Sequence, residues 1–166
     1  MSSVPSQNGE PADSGRQRRR LTAGIKGSLR DLSNQLSLLN HHVGARVELK
    51  DADLDCLDLV NRHGPLSPSA LARRAGLHPA TMTGVLDRLQ RGGWIAREPD
   101  PADRRAVAVR ALRSRNAELF GLYEGMNAAM DDICAGYTDA ELELLGDFLR
   151  RTTSAGRHAA DELANG

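Results

Sequence analysis

Aromatic residues are scarce in this sequence, at 3% of 166 residues, and cysteine occurs only twice. The sequence has no run of the roughly 18 apolar residues that a membrane-spanning helix requires. Its N-terminus also lacks the apolar segment of a signal peptide. We therefore expect no membrane span and a cytoplasmic location, where unpaired cysteines are usual. The core has to be built mainly from Leu, Val, Ala and Met.

Net charge is absent as well, because 22 basic residues balance 22 acidic ones. That total argues weakly against nucleic acid as a partner, but the distribution of charge reverses the argument. Residues 64–115 contain ten Arg, no Lys and four acids, whereas residues 116–166 contain three Arg and ten acids. A basic central module beside an acidic C-terminal segment is typical of a DNA-binding protein with a separate assembly region.

The sequence shows no arrangement that is typical of an enzyme. We find no nucleophile beside a base, no glycine-rich phosphate loop and no clustered carboxylates in an apolar frame. The pair His41-His42 has no obvious third ligand for a metal ion. We predict a protein that is not an enzyme and that holds neither a cofactor nor a metal.

Residues 67–91 read as two short helices around a glycine-containing turn. Ser67 and Pro68 are typical of a helix N-cap and first position, and Gly76 is typical of a helix end. A second helix begins near residues 78–79. Its apolar residues recur at helical spacing along one stripe, which consists of Met82, Val85, Leu86 and Leu89. This is the pattern of a helix-turn-helix, whose second helix fits the DNA major groove.

A two-stranded ribbon is predicted directly after the second helix. Its first strand begins at residues 94–95, and residues 99–101 form a turn with two prolines. Val107, Val109 and Ala111 then alternate with other residues, which predicts a half-buried return strand.

The face of the second helix opposite its apolar stripe is small in its N-terminal half. It consists of Ala80, Thr81, Thr83, Gly84, Asp87, Arg88 and Arg91. Small residues allow a close approach to bases, Thr can meet a thymine methyl, and Arg88 matches guanine. Gly84 is explained either by close approach of a ligand or by packing against a neighbouring helix.

The chain resembles the MarR family of winged helix-turn-helix regulators, in outline from about residue 21 to 149. The most specific motif is Asp-Arg-Arg at residues 103–105, in the wing tip, at the expected distance after Gly93 and Arg97. The other matching segments are Leu71-Ala72, Thr81-Met82-Thr83, Val85-Leu86-Asp87-Arg88-Leu89 and Gly93-Trp94-Ile95-Ala96-Arg97.

The resemblance implies a mainly α fold with a small β-wing. The winged helix-turn-helix would occupy about residues 51–111, and dimerisation helices would occupy about 21–44 and 114–153. It further implies a homodimeric DNA-binding transcriptional regulator, a ligand-responsive repressor that binds a palindromic operator as double-stranded DNA. A small aromatic effector would bind between the dimerisation region and the winged module.

DNA contacts are expected from three parts of the module. Phosphate contacts are assigned to Ser67, Ser69, Arg73 and Arg74, base contacts to Ala80, Thr81, Thr83, Gly84 and Arg88, and minor-groove contacts to Arg104 and Arg105. Asp103 is expected to orient one of the two wing-tip Arg side chains.

The flanking segments are predicted from composition and periodicity. Residues 1–20 should form a disordered basic arm, which either touches DNA or acts as a solubilising tail. Residues 21–43 carry apolar residues in a heptad-like rhythm, which indicates a helix that needs a partner. A long helix is expected at about residues 114–135, with Ser114 as its cap. Residues 138–141 form a capping box for a last helix, and residues 154–166 should fray.

Two alternatives remain open at this point. The winged helix could serve as a protein-interaction module without binding DNA, although the Arg-rich surface argues against this. Cys56 could be a redox sensor, but its acidic neighbours Asp55 and Asp58 would raise its pKa and favour a buried structural thiol.

Overall fold

The computed structural model describes residues 10–103 and 105–165, and it is mainly helical with one small sheet, as predicted. The elements, in chain order, are α1 (Glu10–Arg46), α2 (Asp51–His63), α3 (Pro68–Ala75), α4 (Pro79–Arg91), β1 (Ile95–Pro99), β2 (Val107–Ala111), α5 (Arg113–Gly121), α6 (Glu124–Cys134) and α7 (Asp139–Asn165). Contacts divide the chain into a first unit that ends at Leu119 and a second that begins at Phe120.

The ends of α3 and α4 follow the local signals in the sequence. The Ser67 hydroxyl accepts a hydrogen bond from the N–H of Ala70 at 3.2 Å, and Gly76 ends α3 with φ of 65°. At the start of α4, Nδ1 of His78 accepts from the N–H of Ala80 at 3.2 Å. Each helix has Pro at its first position, where the missing N–H leaves no bond unmade.

The core of the first unit forms around the apolar stripe of α4. Every residue of that stripe is at most 2% exposed. The stripe shares this core with side chains of α2, α3, both strands and the residue before β1, which are Leu57, Val60, Leu71, Trp94, Ile95 and Val109. Burial of such side chains stabilises a fold by about 1.5–3 kcal/mol each relative to exposure, so the orientation of α4 is strongly determined.

The wing is an antiparallel ribbon in which Arg97 pairs with Val109 and Pro99 with Val107. Val109 also exchanges two backbone hydrogen bonds with Leu66, at 3.1 and 2.7 Å, so β2 is held on both edges. The predicted burial of Val107 is wrong, since it is 42% exposed. It pairs with Pro99 at the outer end of the ribbon, whereas Ala108 and Val109 are buried.

A buried asparagine attaches the start of α5 to the winged module. The side-chain amide of Asn116 donates to the carbonyl oxygens of Trp94 at 3.2 Å and Leu112 at 2.6 Å. Its Oδ1 accepts from Nδ2 of Asn61, on α2, at 2.9 Å. Arg115 lies 4.6 Å from the ring centroid of Trp94 and donates to the carbonyl of Gly92. The first turns of α5 are therefore fixed by satisfied polar contacts.

Three boundaries differ from those predicted. First, α1 begins at Glu10, so the expectation of disorder is wrong for residues 10–20, and residues 1–9 lie outside the described residues. The arginines of residues 16–20 favour a helix in spite of the Ser- and Pro-rich composition before them. Second, α7 continues to Asn165 instead of fraying from residue 154, because Ala and Glu in that segment are good helix formers.

The third difference is a break in the long helix expected after the wing. It is divided into α5 and α6 by a turn at residues 122–123, directly after Gly121, which ends α5. Glycine has low helix propensity, which explains the break. Ser114 lies inside the first turn of α5 and does not cap it, since that helix begins at Arg113.

Large apolar side chains remain exposed on α1 and, separately, in the second unit. On α1, Leu21, Ile25, Leu32, Leu36 and Leu38 are 38–58% exposed. In the second unit no described side chain is buried, and the exposed apolar residues include Ile133, Leu144, Leu145, Phe148 and Leu149. A soluble monomer rarely leaves so much apolar surface uncovered. No helix in the described ranges has the length and apolarity needed to cross a membrane.

Two glycines in one region should respond oppositely to replacement by alanine. A Cβ at Gly92 would lie 2.7 and 2.8 Å from ring atoms of buried Trp94, so Gly92→Ala should lower the free energy of unfolding by about 1–3 kcal/mol. A Cβ at Gly84 would meet only the Arg88 side chain, at 3.5 Å, so Gly84→Ala should raise it by up to about 1 kcal/mol. Urea unfolding, monitored by circular dichroism, checks both changes in the free energy of unfolding. A wild-type midpoint for Gly92→Ala would contradict the packing.

Candidate nucleic-acid interface

The N-terminal half of α4 presents a small, uncharged surface. Ala80, Thr81 and Thr83 are exposed, on the side opposite the buried stripe. The hydroxyl of Thr83 donates to the carbonyl oxygen of Pro79 at 3.2 Å, one helical turn earlier. That bond uses the hydroxyl proton, so Thr83 offers its methyl group and its oxygen lone pairs to a ligand. Such groups suit thymine methyls and base amino groups.

Gly84 lies on the same surface and is not explained by internal packing. Only Nη1 of Arg88, at an ordinary van der Waals distance, lies within 4 Å of the Cβ position at Gly84. Its backbone is helical and needs no positive φ. Of the two explanations open from the sequence, packing against a neighbouring helix therefore has no support within the described chain.

The charged residues at the middle of α4 are engaged in contacts within the protein. Arg88 donates from Nε to Oδ2 of Asp53 at 3.0 Å and from Nη2 to Oδ1 at 2.6 Å. Asp87 accepts from Arg97, on β1. The hydrogen bond with Asp53 raises the pKa of Arg88 further above its ordinary value. The structure thus gives Arg88 a protein partner, where the sequence had suggested a base.

The wing turn is ordered by aspartates that bind the main chain. Oδ1 of Asp103 accepts from the backbone N–H of Arg105 at 3.0 Å, and Oδ1 of Asp100 accepts from the N–H of Ala102 at 2.7 Å. Asp103 therefore holds the backbone of Arg105, whereas we had expected contact with an Arg side chain. Arg105 is exposed, and Arg104 lies outside the described residues.

The ribbon behind the wing tip carries a paired acid and base. Arg110 donates to both carboxylate oxygens of Glu98, at 3.2 and 2.6 Å. The hydrogen bonds lower the pKa of Glu98 and raise that of Arg110. Both groups therefore stay charged near neutral pH and neutralise each other. Among the residues that the structure describes, Arg105 forms no ion pair.

The residues predicted to contact phosphates lie at the start of α3 and along it. The hydroxyl of Ser67 is engaged as the N-cap, and its oxygen lies 3.2 Å from that of Ser69. Ser69, Arg73 and Arg74 are exposed. Hydroxyls, backbone N–H groups at a helix start and Arg side chains are the usual phosphate ligands of DNA-binding proteins.

Comparison with known proteins agrees with this geometry. The sequence profile of the MarR family matches residues 49–107. The HTH-type transcriptional regulator YcgE of Bacillus subtilis is 32% identical over 120 residues, which cover 72% of this chain and 78% of that protein. The chain belongs to the MarR family.

A further sequence relative of this MarR family member and a solved structure with the same fold agree with the assignment. The HTH-type transcriptional repressor YetL of Bacillus subtilis is 28% identical over 130 residues, or 75% of this chain and 78% of that protein. The solved structure of a MarR family protein from Bacillus stearothermophilus superposes with a TM-score of 0.65 at 19% identity, over 84% of this chain and 97% of that one. The resemblance and the winged-helix fold predicted from the sequence are confirmed, and the chain is a DNA-binding transcriptional regulator of MarR type.

Two side chains of this MarR family protein that bind charged residues of α4 were not predicted from the sequence. Asp53 was given no role from the sequence, yet it is 1% exposed and bound to Arg88. A signal was present, because Asp53, Leu57 and Val60 follow one another at helical spacing on a buried face. An acid on such a face requires a partner. Arg97, the partner of Asp87, gave no comparable signal.

The thiol of Cys56 is buried, as expected, and its burial raises the pKa of the thiol. It is fully buried, and burial together with the charges of Asp55 and Asp53 raises its pKa to about 11. Cys134 is partly exposed. In the described ranges no three metal-binding side chains lie together, and His41 contacts Asp51, with 3.1 Å between Nδ1 and Oδ1.

The two thiols should therefore differ in reactivity toward a maleimide at pH 8. A thiol reacts as thiolate, and a pKa of about 11 leaves about one Cys56 side chain in a thousand ionised at that pH. We expect native protein to be labelled at Cys134 and the Cys134→Ser variant to stay unlabelled until it is denatured. Mass spectrometry counts the labels. Rapid labelling of native Cys134→Ser would contradict the burial of Cys56.

Proposed function

We propose that this regulator acts as a homodimer on an inverted-repeat operator, with one α4 in each of two successive major grooves. The observation that carries the proposal is the surface of α4 itself. Its apolar stripe is at most 2% exposed, so Thr81 and Thr83 face outward beside Gly84, at which a Cβ would meet no main-chain atom within 4 Å. A small, uncharged helix face flanked by Arg is suited to base edges in a major groove.

The dimer is supported by the apolar side chains that the single chain leaves exposed. On α1, Leu21, Ile25, Leu32 and Leu36 recur in the heptad-like rhythm of a helix that packs along a partner. The second unit buries none of its described side chains, so it has no core of its own. A twofold dimer implies half-sites about one helical turn, or ~34 Å, apart.

Selection from a random pool of duplexes, together with sedimentation velocity, tests this proposal. We expect the purified protein to sediment as a dimer at micromolar concentration and to enrich an inverted repeat with half-sites one helical turn apart. A monomeric protein, or an enriched sequence without twofold symmetry, would contradict the proposed arrangement. Binding should fall steeply with salt, as phosphate contacts require, whereas a winged helix that binds only proteins would retain no DNA.

The contacts that we propose around α4 follow from charge and exposure. Ser67, Ser69, Arg73 and Arg74 would bind phosphates, while Ala80, Thr81, Thr83 and Gly84 would lie against the bases. Arg105, together with Arg104, would enter the minor groove, where narrow A·T tracts concentrate negative potential. Through its bond to the backbone of Arg105, Asp103 would set the direction of that side chain.

Gly84→Ala separates stability from DNA binding, because the two should change in opposite directions. The added methyl group meets only the end of the Arg88 side chain, at 3.5 Å, in the free protein, but it would fill the gap that we assign to close approach of DNA. We expect affinity for the selected operator to fall about tenfold, or roughly 1.4 kcal/mol, in a protein that is at least as stable as the wild type. Fluorescence anisotropy measures the affinity. Gly121→Ala, where a Cβ would have no neighbouring atom within 4 Å, is the control, and equal affinity for both variants would contradict the assignment.

The proposal also covers whether the protein represses or activates transcription, and which kind of ligand controls it. We propose repression in the cytoplasm, the action named for the relative YetL, since a dimer seated on a promoter blocks access to it. We further propose that a small aromatic molecule changes the separation of the two α4 helices. A coupling of about 1–3 kcal/mol between effector and DNA is enough for such control.

A further inference from the structure

A buried carboxylate in the first turn of α2 is joined to α4 by two parallel hydrogen bonds. Asp53 is 1% exposed. Nε and Nη2 of Arg88 donate to its two oxygens at 3.0 and 2.6 Å, and the backbone N–H of Lys50 donates to Oδ2 at 3.4 Å. An ionised carboxylate at this depth needs such partners, because burial without them is strongly unfavourable.

The geometry of this pair restricts how α4 can turn about its own axis. A guanidinium bound through two nitrogens has a fixed plane as well as a fixed distance. Arg88 lies one helical turn after Gly84 and two turns after Thr81, on the same side of the helix. Rotation of α4 that moved Thr81 would therefore pull the guanidinium out of the plane that Asp53 requires.

A second ion pair acts on the neighbouring residue. Asp87 accepts a hydrogen bond from Arg97 on β1, so the consecutive residues 87 and 88 connect α4 to the wing and to α2. The two pairs differ in burial, since the side chain of Asp87 is 51% exposed and that of Asp53 is 2% exposed. An exposed pair contributes little to stability, which makes the pair with Asp53 the stronger restraint.

We propose that Asp53 is a positioning residue for sequence recognition. Through Arg88 it fixes the rotation of α4, and so the direction in which Thr81 and Thr83 meet the base edges, while Arg88 itself does not read a base. This inference rests on the proposed binding of α4 in a major groove. It assigns the reading of bases to neutral methyl and hydroxyl groups, and it gives both members of the ion pair a single shared role.

The experiment compares neutral variants of the two partners on the selected operator. Asp53→Asn, Arg88→Gln and the double variant are measured by anisotropy on the operator, on its single-base-pair substitutions and on an unrelated duplex. Asp58→Asn is the matched control, because Asp58 lies on the same helix in an exposed pair with Arg62. Arg88→Lys retains a charge beside Asp53 and so keeps the chain folded if the neutral variants unfold.

We expect each single variant to weaken operator binding about tenfold and the double variant to weaken it no further, since both changes remove one interaction. The preference for the operator over its single-base-pair substitutions should decline at all base pairs of a half-site together, in Asp53→Asn as in Arg88→Gln. Binding of the double variant to unrelated DNA and its salt dependence should stay within about twofold, because removing both members of a neutral pair leaves the net charge unchanged. Arg88→Lys should show a smaller loss of discrimination, and Asp58→Asn none.

Other outcomes would overturn the inference in recognisable ways. Loss of preference at one base pair per half-site in Arg88→Gln alone would show that Arg88 reads a base. Equal loss on operator and unrelated DNA, in step with a lowered melting temperature, would show a purely structural role. Failure of the wild-type protein to bind any duplex would overturn the proposed function and this inference with it, whereas normal wild-type binding with either of the first two results would overturn the inference alone.

Discussion

The burial of one apolar stripe on α4 is the constraint on which the rest of the interface depends. Met82, Val85, Leu86 and Leu89 share a buried core with side chains from α2, α3 and the strands, and with Trp94. Because a helix has only one opposite face, burial of the stripe decides that Thr81 and Thr83 are exposed. Hydrophobic burial provides the energy for this orientation, but it is not directional. Polar contacts therefore have to fix the exact rotation of α4 about its own axis.

Those polar contacts lie around the edge of the core. Asp53 and Arg88 connect α2 with α4, and Asn116 ties the start of α5 to the carbonyl oxygen of Trp94. In each case a buried polar group is satisfied by partners on another element, which makes the arrangement specific as well as stable. Such packing restraints end a few residues after Asn116, because no described side chain beyond Leu119 is buried.

Much of this fold could be predicted from the sequence because its signals are local. Ser67, Gly76 and His78 mark helix ends through contacts within four residues, and the stripe of α4 is visible in its spacing. The break after Gly121 and the extension of α1 to Glu10 were missed, since composition over a window hides where a helix begins or stops.

The candidate site was less accessible to sequence reasoning, because its decisive contact joins residues 35 positions apart. Nothing in the spacing of Arg88 distinguishes a side chain aimed at a base from one bound to Asp53. The acid on the buried face of α2 was the available clue. Gly84 could be resolved only with coordinates, since the two explanations differ in what surrounds its Cβ position.

Hydrogen–deuterium exchange of the free and operator-bound protein tests the central claim most directly, namely that the exposed face of α4 is the surface that meets DNA. The account predicts that DNA slows exchange in peptides that cover residues 79–84 and the wing tip at residues 100–106, and leaves residues 139–165 unchanged. Protection confined to the C-terminal helix, or absent from residues 79–84 at saturating DNA, would contradict it.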